Sequence, residues 1–170
     1  MSGSLRYANT PSPGADHLAA HADGPHPIQV IEDLPLVRRL LCDIIEEGGQ
    51  YKVCALSDTE DGAVADFRAH RPAAVVVDLN LKQGSGLGFL NQVRRMDLDY
   101  RPALIVVTNH GIAAIEAACM KAGADHFLDK SRDLVRLKTV IDDTLRARMD
   151  QDGANDEPLS GAPDSPSGLR

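Results

Sequence analysis

Between Ile28 and Met149 the chain alternates short, continuous apolar runs with longer stretches whose apolar positions recur at helical spacing. IQVI at 28–31 reads as a strand. After it, Leu36, Val37, Leu40, Leu41, Ile44 and Ile45 form a helical stripe, with Pro35 suited to the first turn and Gly48-Gly49 to a stop. YKVCAL at 51–56 is a second strand, followed by a weaker helix over 59–70 that carries Ala63, Val64 and Phe67 on one face. AAVVVD at 73–78 is a third strand, and its solid apolar run predicts a central position covered on both sides. A helix over 87–95, the strand ALIVV at 103–107 and a helix over 112–121 ending before Gly123 come next. The strand HFLD at 126–129 and a last helix striped by Leu134, Val135, Leu137, Val140, Ile141, Thr144 and Leu145 complete five strand–helix units.

Strict alternation of strand and helix predicts parallel strands joined by right-handed crossovers, and five units most simply make an open, doubly wound α/β sheet with helices on both faces. In the flavodoxin-like strand order 2-1-3-4-5, a crevice opens outside the carboxyl ends of strands 1 and 3. The flanks, residues 1–27 and 150–170, are rich in turn formers and hold seven of the ten prolines, so each is expected to be a flexible tail around a domain spanning 28–149. His17, His21 and His26 fall in the first tail without carboxylate or thiol support, which argues against a metal site there.

Composition narrows the chemistry. With 43% hydrophobic residues but only 4% aromatic ones and no Trp, the core must be built from Val, Leu, Ile and Ala, as in buried parallel sheets. A net charge of −7 and the lack of a clustered basic face argue against direct nucleic-acid binding. Cys42, Cys54 and Cys119 are widely spaced in apolar surroundings and read as free, buried thiols in a reducing compartment. No apolar run reaches membrane-spanning length, and no basic segment followed by an apolar one opens the chain, so a cytoplasmic location without membrane contact is expected.

The polar residues that follow the strands carry the functional signal. Strand 1 ends in Glu32-Asp33, strand 3 in Asp78, strand 4 in Thr108 and strand 5 in Asp129 followed by Lys130; strand 2 is the exception. Carboxylates converging on one crevice repel one another, and a hard divalent cation such as Mg2+, which takes oxygen ligands, removes the conflict. Mg2+ held by one or two carboxylates commonly also takes phosphate oxygens. A carboxylate is a competent nucleophile towards phosphorus, Lys130 offers a mobile positive charge, and the Thr108 hydroxyl offers one hydrogen bond.

This set of residues resembles the receiver domain of two-component response regulators, and the resemblance runs through IQVIEDLPLVRRLL, VVVDLN, SGLGFL, LIVVTNH and KAGADHFLDKS. It implies that Asp78 is the phosphoacceptor, and that Asp33, Asp78 and the backbone carbonyl of Asn80 ligate Mg2+ with Glu32 acting largely through water. It also implies that Thr108 and Lys130 hold the phosphoryl oxygens, and that Phe127 is the aromatic that turns inward as Thr108 moves. The implied partners are a sensor histidine kinase or histidine phosphotransfer protein and a downstream protein docking on the face of helix 4, strand 5 and helix 5. The implied role is signalling rather than enzymatic turnover, and the tail after Met149 is too short and turn-rich for a DNA-binding output module. Two residues depart from the family pattern: Lys82 and Ser131 stand where prolines are usual. A cis bond before Ser131 would cost about 3 kcal/mol, which leaves the local turn in question. Lys82 is expected to point to solvent.

Other chemistries fit less well. An FMN site needs a hydroxyl- and glycine-rich phosphate loop after strand 1, where EDLP would repel the phosphate; a haloacid-dehalogenase-like hydrolase places its nucleophile after the first strand, with a second Asp two residues on, whereas position 80 is Asn. Gly84, Gly86 and Gly88 are better explained by a turn and close packing than by a phosphate loop, and His110 and His126 by no special role. A receiver-like binding module that works without phosphorylation is the remaining alternative.

Overall fold

The computed structural model describes residues 24–109 and 111–154. Its strands are β1 (His26–Ile31), β2 (Tyr51–Ser57), β3 (Ala74–Val77), β4 (Ala103–Thr108) and β5 (His126–Asp129). Its helices are α1 (Pro35–Glu46), α2 (Glu60–His70), α3 (Gly86–Arg94), α4 (Ala113–Lys121) and α5 (Leu137–Ala154), the last preceded by a 3-10 turn at Leu134–Arg136. All strands are parallel and ordered β2-β1-β3-β4-β5, as the alternation predicts.

Successive side chains of a strand point to opposite faces, so a strand covered on both sides must be apolar at every position. Ile28 and Val30 of β1, Ala74 and Val76 of β3 and Ile105 and Val107 of β4 pack on one face with Leu41 and Ile45 of α1 and Leu137 and Ile141 of α5. Their neighbours Ile31, Val75, Val77, Leu104 and Val106 pack on the other face with Phe67 of α2, Phe89 and Leu90 of α3 and Cys119 of α4. Between the first and last residues of these inner strands the one polar residue is Gln29, which is fully buried. Its amide donates to the Ala63 carbonyl at 2.9 Å and to Ser57 Oγ at 3.1 Å, and Ser57 Oγ in turn donates to Asp66 Oδ2 at 2.7 Å.

Several boundaries and faces differ from the periodicity. β1 begins at His26 rather than Ile28, because His26 N–H donates to the Gln50 carbonyl and the Pro27 carbonyl accepts from Ala73; His26 thus belongs to the sheet and lies beside the Tyr51 ring, not in a tail. His17 and His21 lie outside the described residues, as does His110. In α1 only Leu41 and Ile45 are buried, while Leu36 is 85% and Leu40 47% exposed: the six-residue stripe is wider than the arc one helix can turn towards a sheet. Val135 is likewise 88% exposed, in the 3-10 turn before α5. All three cysteines are free thiols, but only Cys119 is buried and the other two are half-buried. Cys54 is the extra residue of a β-bulge, since Ile28 pairs with Val53 and Gln29 with Ala55; its thiol donates to the Ile28 carbonyl at 3.4 Å.

Phe89, fully buried and edge-on to Phe67 at 5.8 Å, reports the core directly. Phe89→Ala is expected to lower the unfolding free energy by about 3–5 kcal/mol, read as a shifted urea midpoint at unchanged slope. Val135→Ser should stay within about 0.5 kcal/mol of wild type. Equal losses at both positions would contradict this division between core and surface.

Candidate functional site

The sheet ladder carries on past the strand ends and brings the acids together. Asp78 N–H donates to the Ile31 carbonyl at 2.8 Å and Glu32 N–H to the Ser57 carbonyl at 2.9 Å, so Glu32 and Asp78 leave the sheet side by side. At the next ladder Thr108 pairs with Asp129, and Lys130 N–H donates to the Thr108 carbonyl at 3.1 Å. The register of four strands therefore sets the spacing of the polar side chains at this edge.

Lys130 Nζ lies 2.6 Å from Glu32 Oε2, as an ion pair without the angle of a hydrogen bond, and donates to Asp78 Oδ2 at 2.6 Å. Glu32 is fully buried and Asp78 nearly so. Burial pushes the Glu32 carboxyl above its ordinary range, while Lys130 and the Leu34 N–H, which donates to Glu32 Oε1 at 3.1 Å, pull it back. Asp33 is half-buried, and oxygens of Glu32, Asp33 and Asp78 lie within 4.8 Å of one another. Three carboxylates against one ammonium leave two negative charges uncompensated, and a hard, oxygen-seeking divalent cation fits that set in both charge and donor type.

The segment after Asp78 is folded tightly against it. Asp78 Oδ1 accepts from Leu79 N–H at 2.6 Å, Asn80 pairs with Ser85, and Gly86 N–H donates to the Leu79 carbonyl at 3.0 Å. Gly86 is the first residue of α3, and a Cβ there would lie 2.1 Å from the Asp78 carbonyl oxygen, so glycine is what lets the helix start this close. Ser85 caps α3 by accepting from Gly88 N–H at 3.0 Å.

The two positions where prolines are usual find other solutions. There is no cis peptide bond among the described residues. Asp129 Oδ1 accepts from Ser131 N–H at 2.8 Å and from the Ser131 hydroxyl, a side-chain turn that takes over the role of a proline. These bonds from Ser131 hold the Asp129 carboxyl below its usual range. Lys82 is exposed, as expected, but paired: Nζ lies 2.5 Å from Asp58 Oδ2 on the segment between β2 and α2. The end of β2, where the sequence offers no polar group to the crevice, contributes Ser57 and Asp58 to hydrogen bonds and an ion pair, although neither joins the acid cluster. Phe127 is half-buried and packs against the layer that holds Cys119 and Ala122. Glu60 carries no signal in the sequence: it reads only as an acidic residue opening a weak helix, and its partners Ser85 and Gln92 lie too far along the chain to leave a periodic trace.

The sequence matches the family described as response regulator receiver domain over residues 28–142. It is 25% identical over 120 residues to the chemotaxis protein CheY of Bacillus subtilis, covering 71% of this chain and 98% of that protein. It is 36% identical over 104 residues to the photosynthetic apparatus regulatory protein RegA of Cereibacter sphaeroides, covering 61% of this chain and 54% of RegA. The chain thus spans nearly all of the first relative and about half of the second. Among solved structures it resembles a LuxR-family two-component response regulator from Aurantimonas sp., with TM-score 0.67 and 26% identity over 78% of this chain and 97% of the other. It shares its fold with the receiver domain of a sensor histidine kinase from Pseudomonas aeruginosa, whose active-site cleft coordinates a magnesium ion, with TM-score 0.64 and 20% identity over 72% of this chain and 99% of the other.

Receiver domains are signalling proteins rather than classical enzymes; they bind Mg2+ at an acidic site and interact with histidine kinases and downstream targets. No described helix is long and apolar enough to cross a membrane. Because the family match runs from the first strand into the last helix, over a sheet of the same strand order, this chain belongs to the response regulator receiver domain family.

Proposed function

We propose that this chain is a phosphoacceptor response regulator, which takes a phosphoryl group onto Asp78 from a sensor histidine kinase or histidine phosphotransfer protein and passes the change on through protein contacts or relay. The observation that supports this most is the Lys130 ammonium lying between two buried carboxylates, 2.6 Å from each. Burying three ionised groups is costly for the fold alone and is understandable where a highly charged guest is to be received.

The Asp78 carboxylate attacks phosphorus while the bond from phosphorus to the donor's imidazole nitrogen breaks; one P–O bond replaces one P–N bond, and the imidazole leaves with the electron pair. Mg2+, when bound, neutralises charge on the phosphoryl oxygens so that one anion can approach another. Asp33, Asp78 and the Asn80 backbone carbonyl are assigned as its ligands, with Glu32 acting through water. Lys130 swings on its flexible stem to a phosphoryl oxygen, and the Thr108 hydroxyl donates to another.

As Thr108 is drawn in, the space beside β5 favours an inward Phe127, whose ring has no hydroxyl and follows burial alone. Ile112 and Met120 are exposed at the two ends of α4, which suits protein docking on the face of α4, β5 and α5. A cytoplasmic working location, where kinase and phosphotransfer partners would meet it, completes the proposal.

Asp78→Asn, nearly isosteric but without the nucleophilic charge, should abolish labelling by acetyl phosphate while leaving the circular dichroism spectrum unchanged; full labelling of that variant would falsify the assignment of Asp78. For the metal site, Mg2+ at a hundredfold excess over its dissociation constant should stabilise the chain by about 2.7 kcal/mol, measured by chemical denaturation with and without chelator. Asp33→Ala should lose most of that gain. A receiver-like module that works without phosphorylation would instead show no response to Mg2+ and beryllofluoride together.

A further inference from the structure

One half-buried contact outside the acid cluster joins two helix starts. Glu60 is the first residue of α2, yet its carboxylate reaches the segment that follows Asp78: Oε2 accepts from Ser85 N–H at 2.9 Å and Oε1 from the Gln92 amide at 2.7 Å. The backbone fastens the same contact, with Glu60 N–H donating to the Gln83 carbonyl and Lys82 N–H to the Asp58 carbonyl, each at 3.0 Å. Room for the carboxylate is left by residues that carry no side chain. A Cβ on Gly88 would lie 2.1 Å from Glu60 Oε2, and one on Gly84 would lie 2.4 Å from Glu60 Cβ. Negative charge at the amino end of α3 is also where the helix dipole favours it.

What Glu60 holds is one residue removed from the site. Ser85 pairs directly with Asn80, and the next residue, Gly86, ties back to Leu79 and packs on the Asp78 carbonyl. We propose that Glu60 is a positioning residue for the metal site: by anchoring Ser85 it fixes where the Asn80 carbonyl stands beside Asp78. Groups that orient ligands without touching the ion govern affinity through such placement. The proposal rests on the assignment of Asp78 and Asn80 to Mg2+ binding made above.

The test is calorimetric titration of Mg2+ into the full chain, well below each variant's melting temperature, with hydrogen exchange of the Ser85 amide as a metal-free readout. Glu60→Ala should weaken Mg2+ binding by about tenfold or more and speed exchange at Ser85. Glu60→Gln should stay near wild type, because its amide oxygen still accepts from Ser85 while the Gln92 amide rotates to accept in turn. Gly88→Ala is the sharper probe. Within a helix this exchange is ordinarily favourable, but here it should displace the carboxylate and reproduce the Glu60→Ala loss, and it should add nothing once Glu60→Ala is already present.

Wild-type Mg2+ affinity in Glu60→Ala, or independent losses that add in the double variant, overturns the positioning role while leaving the metal site standing. If Glu60→Ala does not fold, unchanged affinity in Gly88→Ala overturns it equally. A wild-type chain that binds no Mg2+ overturns both this role and the metal assignment beneath it.

Discussion

The structure depends on one bridge: the Lys130 ammonium between Glu32 and Asp78. Two like charges 4 Å apart repel by about 4 kcal/mol at the effective dielectric typical of protein sites, so without a shared cation this edge of the sheet would push itself apart. The bridge also demands accuracy from distant parts of the chain. Glu32, Asp78 and Lys130 directly follow β1, β3 and β5, and a slip of one residue in any of these ladders would turn a charged group into the apolar layers. The site thus tests the register of the whole sheet, and the sheet's cover of helices on both faces is what keeps that register.

That division of labour explains why the chemistry sits where it does. Along β3, and along β4 as far as Val107, every side chain is already committed to one core layer or the other, which leaves no place for function before the strands end. Only where the ladder ends can a side chain be polar, and parallel strands put all of those ends on one side of the molecule. Gln29 is the exception that keeps the rule: a polar residue inside β1, it survives burial because a helix carbonyl and the Ser57 hydroxyl meet its amide.

Much of this was legible in the residues alone. The solid run AVVV ending on Asp78, the βα alternation and the polar residues after strands 1, 3, 4 and 5 lead to the sheet order and to the crevice. What stayed hidden depends on reach and competition rather than on period. His26 and Pro27 extend β1 through backbone bonds that side-chain hydrophobicity does not report. Leu36, Leu40 and Val135 fit a helical stripe but are left outside, because the sheet offers less width than the stripe proposes. Glu60 and Asp129 act through bonds to specific partners, one across the fold and one within a turn, and nothing in composition distinguishes them from surface acids.

The bulge at Cys54 has a consequence for life in a crowded solution. β2 is an outer strand of the described sheet, and a regular strand at such an edge invites another chain to extend the sheet. One surplus residue puts its two halves out of step and adds twist, and the exposed Lys52 places a charge on the same strand. A foreign strand approaching that margin could match one half or the other but not both, so the protein carries its own guard against growing into fibres.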